Sequence, residues 1–380
     1  MKKDSFDVTG FMASVGILRY AVISIASVQD VRHAKHKNIQ NGAQGEAKVD
    51  RRNFIKTAAA GAATIGASAT GAAAQKSPIP IIDTHVHLYD PTRPQGIPWP
   101  NKDQPASIYR RFLPGDYAKI AEPHGVVGAI ETECSPWIED NYWVMDVSKN
   151  EPLMVGEVGD LLLGHPDYRE HLERLRRNPL YLGIRVSNLW GRDVAALLKT
   201  TQAWTDLKAL ADAGLTMDFG AGPEQVRQLL QITDRIPNLR VVLNHLPAQR
   251  VPDDPAERAA WQKQTEELVK RPHIYGKFSA IFQRVDERGR RVQTGGRIPK
   301  DLAFYKPRLD EIYETFGPDR LMLGSDWTNS EPMSTFGELV ALDLEYFTPK
   351  GRAVMEKIFW KNSLAAYRWR KRRSNQPSLT

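Results

Sequence analysis

Residues 81–90 read Ile81-Ile82-Asp83-Thr84-His85-Val86-His87-Leu88-Tyr89-Asp90, an apolar run of strand length that ends in His-x-His. Side chains alternate along a strand with a period of two, so His85 and His87 leave the same face of one strand tip. Two imidazoles aimed at one point from a rigid element are what a divalent metal requires of a scaffold. Everything downstream can be read as bringing further groups to that point.

From Ser77 onward short apolar segments alternate with amphipathic ones. Strands are predicted at 79–84, 125–133, 152–158, 182–186, 215–219, 240–243, 274–279 and 320–324. Helices are predicted at 136–149, 166–177, 204–213, 223–235, 255–270, 305–316, 336–346 and 352–367, with Pro223 suited to a first helical turn. Eight strands alternating with helices over about 300 residues is the count and length of a single (β/α)8 TIM-type barrel. A doubly wound open sheet remains the alternative, since strand order is not legible here. No Gly-x-Gly-x-x-Gly follows an early strand, which disfavours its dinucleotide-binding form. No repeat has the period of a solenoid or propeller.

Upstream, Asp50-Arg51-Arg52-Asn53-Phe54-Ile55-Lys56 precedes a run of Ala, Gly, Ser and Thr that ends in Ala72-Ala73-Ala74. Twin arginines, a hydrophobic residue two places on, a lysine, a weakly apolar stretch and small residues at the end match a twin-arginine export signal. The expected organisation is therefore a leader at 1–50, disordered or not translated, a cleavable signal at 51–74, and the barrel at 75–380. The expected partner is the twin-arginine export machinery, and the expected location is the periplasm. Residues 11–28 are apolar but broken by Arg19 and marginal for a membrane span.

Of 380 residues 41% are hydrophobic and 26% charged, ordinary globular proportions, and the single cysteine, Cys134, excludes an internal disulfide framework. The formal charge of +7 is not spread over the body. Residues 1–74 hold 10 Lys/Arg against 5 Asp/Glu, which leaves +2 for the rest, and five of its cations sit in one tail, Arg368, Arg370, Lys371, Arg372 and Arg373. Without a body-wide basic surface, no nucleic-acid partner is expected, and the tail reads as a solvated, frayed end. Oligomeric state is not legible.

The active site of a barrel lies at the C-terminal ends of its strands. Those ends carry His85 and His87, Glu131 and Glu133, Arg185, Asp218, His245, Lys277 and Asp326. If the shared face of Glu131 and Glu133 is the barrel interior, both approach the metal point, Glu133 the closer; a structural ion pair is the plainer reading of Glu131. Arg185 suits a carboxylate or a lactone carbonyl, and Lys277 admits the same reading, with structural salt bridges the alternative for both. A carboxylate at Asp326, beside an activated water, can take its proton and hand it to a leaving oxygen. His124, His165, His171 and His273 lie near element starts or in loops and read as structural or exposed.

These segments resemble the amidohydrolase superfamily (amidohydrolase 2 type), in particular the branch with L-fuconolactonase, L-rhamnonolactonase and 4-sulfomuconolactone hydrolase. The resemblance runs from about residue 79 to 369 through 83–91, Pro98-Trp99, Gly183-Ile184-Arg185, Leu243-Asn244-His245-Leu246, Lys277-Phe278-Ser279, 316–327 and 362–368. It implies a hydrolase that opens an anionic or polyhydroxylated lactone, with Asp326, His245 and Arg185 catalytic. Arg185, Lys277, Trp327, Trp99 and Glu133 would contact substrate, and His85, His87, Asp326 and Glu133 would hold a divalent metal, expected to be zinc. Some lactonases of the branch work without metal, and the fifth strand here ends Met217-Asp218-Phe219 where the superfamily usually has a histidine. Thr328 replaces the usual proline, and the loop 282–297 carries Arg284, Arg288, Arg290, Arg291 and Arg297. A metal-dependent decarboxylase of an aromatic or muconate-like acid and a non-catalytic ligand-binding barrel are the competing readings.

Overall fold

The computed structural model describes residues 78–379; the leader and the twin-arginine segment lie outside the described residues. Eight strands, β1 Ile81–Val86, β2 Val126–Thr132, β3 Met154–Gly159, β4 Tyr181–Arg185, β5 Thr216–Phe219, β6 Arg240–Leu243, β7 Ile274–Phe278 and β8 Leu321–Leu323, pair in parallel in sequence order. Sequence-order pairing rules out the doubly wound sheet. The ring comes close to closing where β1 meets β8. There Val86 bridges Trp327, His87 N donates to Trp327 O at 2.7 Å and Asp326 N donates to His85 O at 2.8 Å. The seam thus runs through the two segments that carry the site.

Helices follow the strands: α1 Pro114–Ala121, α2 Ile138–Ser148, α3 Tyr168–Leu175, α4 Val194–Leu197, α5 Thr201–Asp212, α6 Pro223–Arg235, α7 Pro255–Val269, α8 Leu302–Phe316, α9 Phe336–Phe347, α10 Arg352–Glu356 and α11 Asn362–Tyr367. Local chemistry explains several starts. Asp254 accepts from Ala256 N and Glu257 N ahead of Pro255, and Thr335 with Glu338 forms a capping box at α9. Helices α1 and α4 are not evident from the sequence. The single helix predicted at 352–367 is divided by a π-helical turn at Lys357–Lys361, which buries Ile358, Phe359 and Trp360. Among the described residues no helix is long and apolar enough to cross a membrane.

The larger apolar core joins strands to helices through residues such as Phe219, Leu229, Leu243, Leu309 and Phe347. A smaller one takes Ile82, Ile130, Leu182, Val242 and Met322 from the strands and is completed by Trp360, Tyr367 and Trp369 of the C-terminal segment. Each such side chain, once fully buried, contributes about 1.5–3 kcal/mol.

In the basic tail Arg368, Arg370 and Lys371 are exposed, but Arg372 and Arg373 are not part of the solvated, frayed end that the charge suggests. Arg372 donates to the carbonyls of Ser148 (3.0 Å), Lys149 (2.5 Å), Glu151 (3.2 Å) and Met154 (2.6 Å). Arg373 donates to Val127 O and pairs with Glu122, while buried Gln376 donates to Val127 O and Pro152 O. Carbonyls at the end of α2 and the starts of β2 and β3 thus take donors from two guanidinium forks, beside the backbone donors that Ser148 O and Glu151 O already have in Glu151 N and Met154 N.

Candidate active site

The side chains of the site come from strand exits. His245 after β6 and Asp326 after β8 have left-handed backbones, φ 54° and 56°. A non-glycine residue there costs about 1–2 kcal/mol, and the sharp exit turns both side chains over the mouth. Asp83, inside β1, ties the seam together. Its Oδ1 accepts from His85 N (3.0 Å) and Ser325 N (2.8 Å), and its Oδ2 from Tyr117 Oη (2.6 Å). Sequence reasoning missed this role; the available signal was an acid directly after Ile81-Ile82 inside the first strand.

Three imidazoles converge on Asp326 Oδ1: His87 Nε2 at 3.2 Å, His85 Nε2 at 3.7 Å and His245 Nε2 at 4.0 Å. Asn329 donates to Oδ2 at 3.0 Å. The outer nitrogens are held in different ways: His87 Nδ1 by Thr132 O (2.7 Å), His245 Nδ1 by Ser279 Oγ (2.9 Å) and His85 Nδ1 by Lys277 Nζ (3.2 Å). Burial works against charge on Asp326, but His245 and the hydrogen bond from His87 outweigh it, and the carboxyl stays below its ordinary range. It is therefore an ionised base at neutral pH. Burial pushes His245 down to about 4 against the pull of Asp326. His85 is also driven well below the ordinary histidine value, by burial first and then by Lys277.

Above this centre opens a cavity of about 390 Å³. His87, His245, Asp326 and Asn329 line it with Arg185, Glu133, Trp99 and Trp190. Arg185 Nη1 stands 3.8 Å from Glu133 Oε1, and Trp190 Nε1 donates to Glu133 Oε2 at 3.2 Å. Burial raises the Glu133 carboxyl to about 7 despite Arg185. The fold thus brings His87, His245, Asp326, Arg185, Glu133 and Trp99 to one chamber. His85 is fully buried beside it. Lys277 is fully buried and does not line the chamber, and Trp327 is buried against Phe336, ring centroids 5.4 Å apart. The arginine loop is tied down in part, with Arg284 on Pro332 O, Arg291 on Ala248 O and Arg290 on Asp286.

Among the described residues the donor atoms of His85, His87 and Asp326 lie within 4.8 Å of one another. Two imidazoles and a carboxylate suit a divalent ion of the zinc type, and the buried Nε2 of His85 has no other partner. Glu133 is not part of this group. A second set, His87, Glu131 and Cys134, meets the same distance. The first set therefore fits a metal by atom type and spacing, with the cations of Lys277 and Arg185 opposing it.

Eight parallel strands with an aspartate ringed by imidazoles at the C-terminal mouth place these groups where barrel enzymes carry their active sites. The chain belongs to the amidohydrolase family: the family model described as Amidohydrolase matches residues 82–369. It is similar to an L-fucono-1,5-lactonase of Burkholderia ambifaria, 28% identical over 264 residues, which are 68% of this chain and 83% of that protein. It is also similar in fold to an amidohydrolase of Burkholderia multivorans with bound zinc, at 20% identity and a TM-score of 0.64, covering 77% of this chain and all of that one. A 2,6-dihydroxybenzoate decarboxylase of Rhizobium shares the fold at 14% identity and a TM-score of 0.52, over 76% of this chain and 98% of that one.

Proposed function

We propose that the protein is a lactonase that opens a small anionic or polyhydroxylated lactone by attack of water on the ring carbonyl. The observation that carries this reading is the ionised, buried Asp326 between imidazoles at the floor of the chamber. Asp326 removes a proton from the attacking water, the ring C–O bond breaks, and the same proton passes to the departing ring oxygen, leaving a hydroxy acid. Arg185, on the chamber wall, stabilises charge that develops on the carbonyl oxygen. His245, kept neutral by burial, orients the substrate from the β6 side. Trp99 and Trp190 offer flat apolar faces for the ring. A divalent ion held by His85, His87 and Asp326 would supply Lewis acidity at the carbonyl and a more acidic water. The lactonase named among the relatives supports the substrate class.

A panel of sugar-acid lactones and muconolactones in a pH-indicator assay tests the proposal, because ring opening releases acid. Asp326→Asn is expected to lower kcat by about 10²–10⁴-fold with the fold intact by circular dichroism. Uptake of protons with release of carbon dioxide would instead assign decarboxylation. We further propose export through Arg51-Arg52, with a mature end near Gln75; N-terminal sequencing that finds an end before Arg51 would refute it.

A further inference from the structure

Strand β4 ends at Arg185, and the chain then runs along the chamber through Ser187-Asn188-Leu189-Trp190-Gly191-Arg192-Asp193 to the start of α4. Leu189 and Trp190 both line the chamber. Leu189 keeps 43% of its surface exposed and so stands at the rim, while Trp190 is half-buried behind it. Inside the tight turn Leu189–Gly191, Trp190 has a left-handed backbone with φ 62° and ψ 28°. A bulky side chain is disfavoured there because its Cβ crowds the following carbonyl, whereas glycine escapes the penalty. Gly191, at φ 74°, is the left-handed residue that comes without strain; Trp190 is the one that does not.

The turn is held from both ends. Ser187 Oγ accepts from Leu189 N (3.2 Å), Asn188 Oδ1 from Val194 N (3.0 Å) and Leu189 O from Arg192 N (3.2 Å). Arg192 forks onto Asp160 at 2.5 and 2.7 Å, and both ends of the Asn141 amide on α2 fix the backbone of Asp160 at 2.8 and 2.9 Å. The indole itself donates from Nε1 to Glu133 Oε2 at 3.2 Å, an oxygen that also accepts from Ser135 N at 3.1 Å. Strained backbone persists only where its neighbours over-determine it, and such places gather at ligand clamps. Trp190 is thus a fixed wall and not a flap, and a fixed wall excludes what does not fit beside it. At about 390 Å³ the chamber is near the small end of the range for small-molecule sites.

We infer that Trp190 is a specificity-determining residue: held by its turn and by Glu133, the indole confines the chamber to a substrate of one ring with small substituents and shuts out a second ring. The inference rests on the lactonase proposal for the chemistry of that ring, so the substrate class becomes a monocyclic lactone.

The test compares kcat/KM of the full chain on one-ring aldonolactones and on the same lactones bearing a second sugar ring. The wild type is expected to prefer one ring by about 100-fold or more, and Trp190→Ala to lower that ratio about 10- to 100-fold, losing rate on one ring and gaining it on two. Trp190→Gly, which also relieves the backbone, is a second variant with the same expectation. Trp190→Phe keeps a ring and loses the Nε1 donor, and is expected to retain most of the ratio. A tryptophan with only a structural role would change the melting temperature and slow both substrates alike. An unchanged ratio in folded Trp190→Ala and Trp190→Gly therefore overturns the inference. If no lactone is opened, the lactonase proposal fails separately, and the size limit is read by calorimetry with benzoate and 2-naphthoate. The wild type is then expected to favour benzoate and Trp190→Ala to lose that preference; a wild type that takes both alike, or neither, overturns the inference.

Discussion

Glu133 lies between an arginine and an indole, with Arg185 Nη1 at 3.8 Å and Trp190 Nε1 at 3.2 Å. Burial is the stronger influence and lifts its carboxyl to about 7. Below that pH the side chain is neutral and Arg185 is released toward the chamber; above it the two form an ion pair that competes with an anionic substrate. KM is therefore expected to rise between about pH 6 and pH 8. Steady-state kinetics should show that rise flattened in Glu133→Gln, and a parallel rise in both enzymes would remove Glu133 from the explanation. Stability follows the same sign: a raised folded pKa gives a contribution present at acid pH and lost as pH climbs through about 7.

At the level of elements, β2 and β3 put Glu131 and Glu157 side by side in register. Both face a cavity of about 20 Å³ against α2, lined also by Asp140, Asp160 and Glu133, with room for about one water. Arg93 answers Asp140 at 2.7 Å and Arg192 answers Asp160 at 2.5 Å, but neither oxygen of Glu131 has a hydrogen-bond partner. Burial, then the charges of Glu133 and Asp140, push its carboxyl well above the ordinary range. Because the folded state favours the protonated form, Glu131 opposes folding once the unfolded chain has ionised, above about pH 4.3. Glu131→Gln should stabilise the protein by about 1–2 kcal/mol near pH 8 and by little near pH 4. Urea titrations at the two pH values would show it, and an equal effect at both would mean that ionisation is not the cause.

Across the whole molecule, the two ends of the barrel have separate tasks. The C-terminal mouth carries the site, while Arg372, Arg373 and Gln376 cover the starts of β2 and β3. Arg372→Ala removes a donor from four carbonyls, of which those of Ser148 and Glu151 keep the backbone donors Glu151 N and Met154 N. It should cost about 1–3 kcal/mol in denaturant unfolding. The kcat of the folded variant should be unchanged, since the tail lies at the opposite end from Asp326. A loss of kcat without loss of stability would contradict that division.

The sequence alone determined the eight strands, each within two residues of its observed bounds, and the set His85, His87, His245 and Asp326 at their exits. Apolar runs that end in polar residues are local patterns, so they are legible without a fold. Contacts between distant segments were decided by tertiary structure alone. Asp83 holds Ser325 from 242 residues away, and Lys277 reaches His85 across 192. Trp327 reads as a substrate contact yet packs against Phe336, and the basic tail reads as frayed yet caps strand starts. Composition records what a side chain can donate or accept, whereas its partner is set by which strands meet beside it in the barrel.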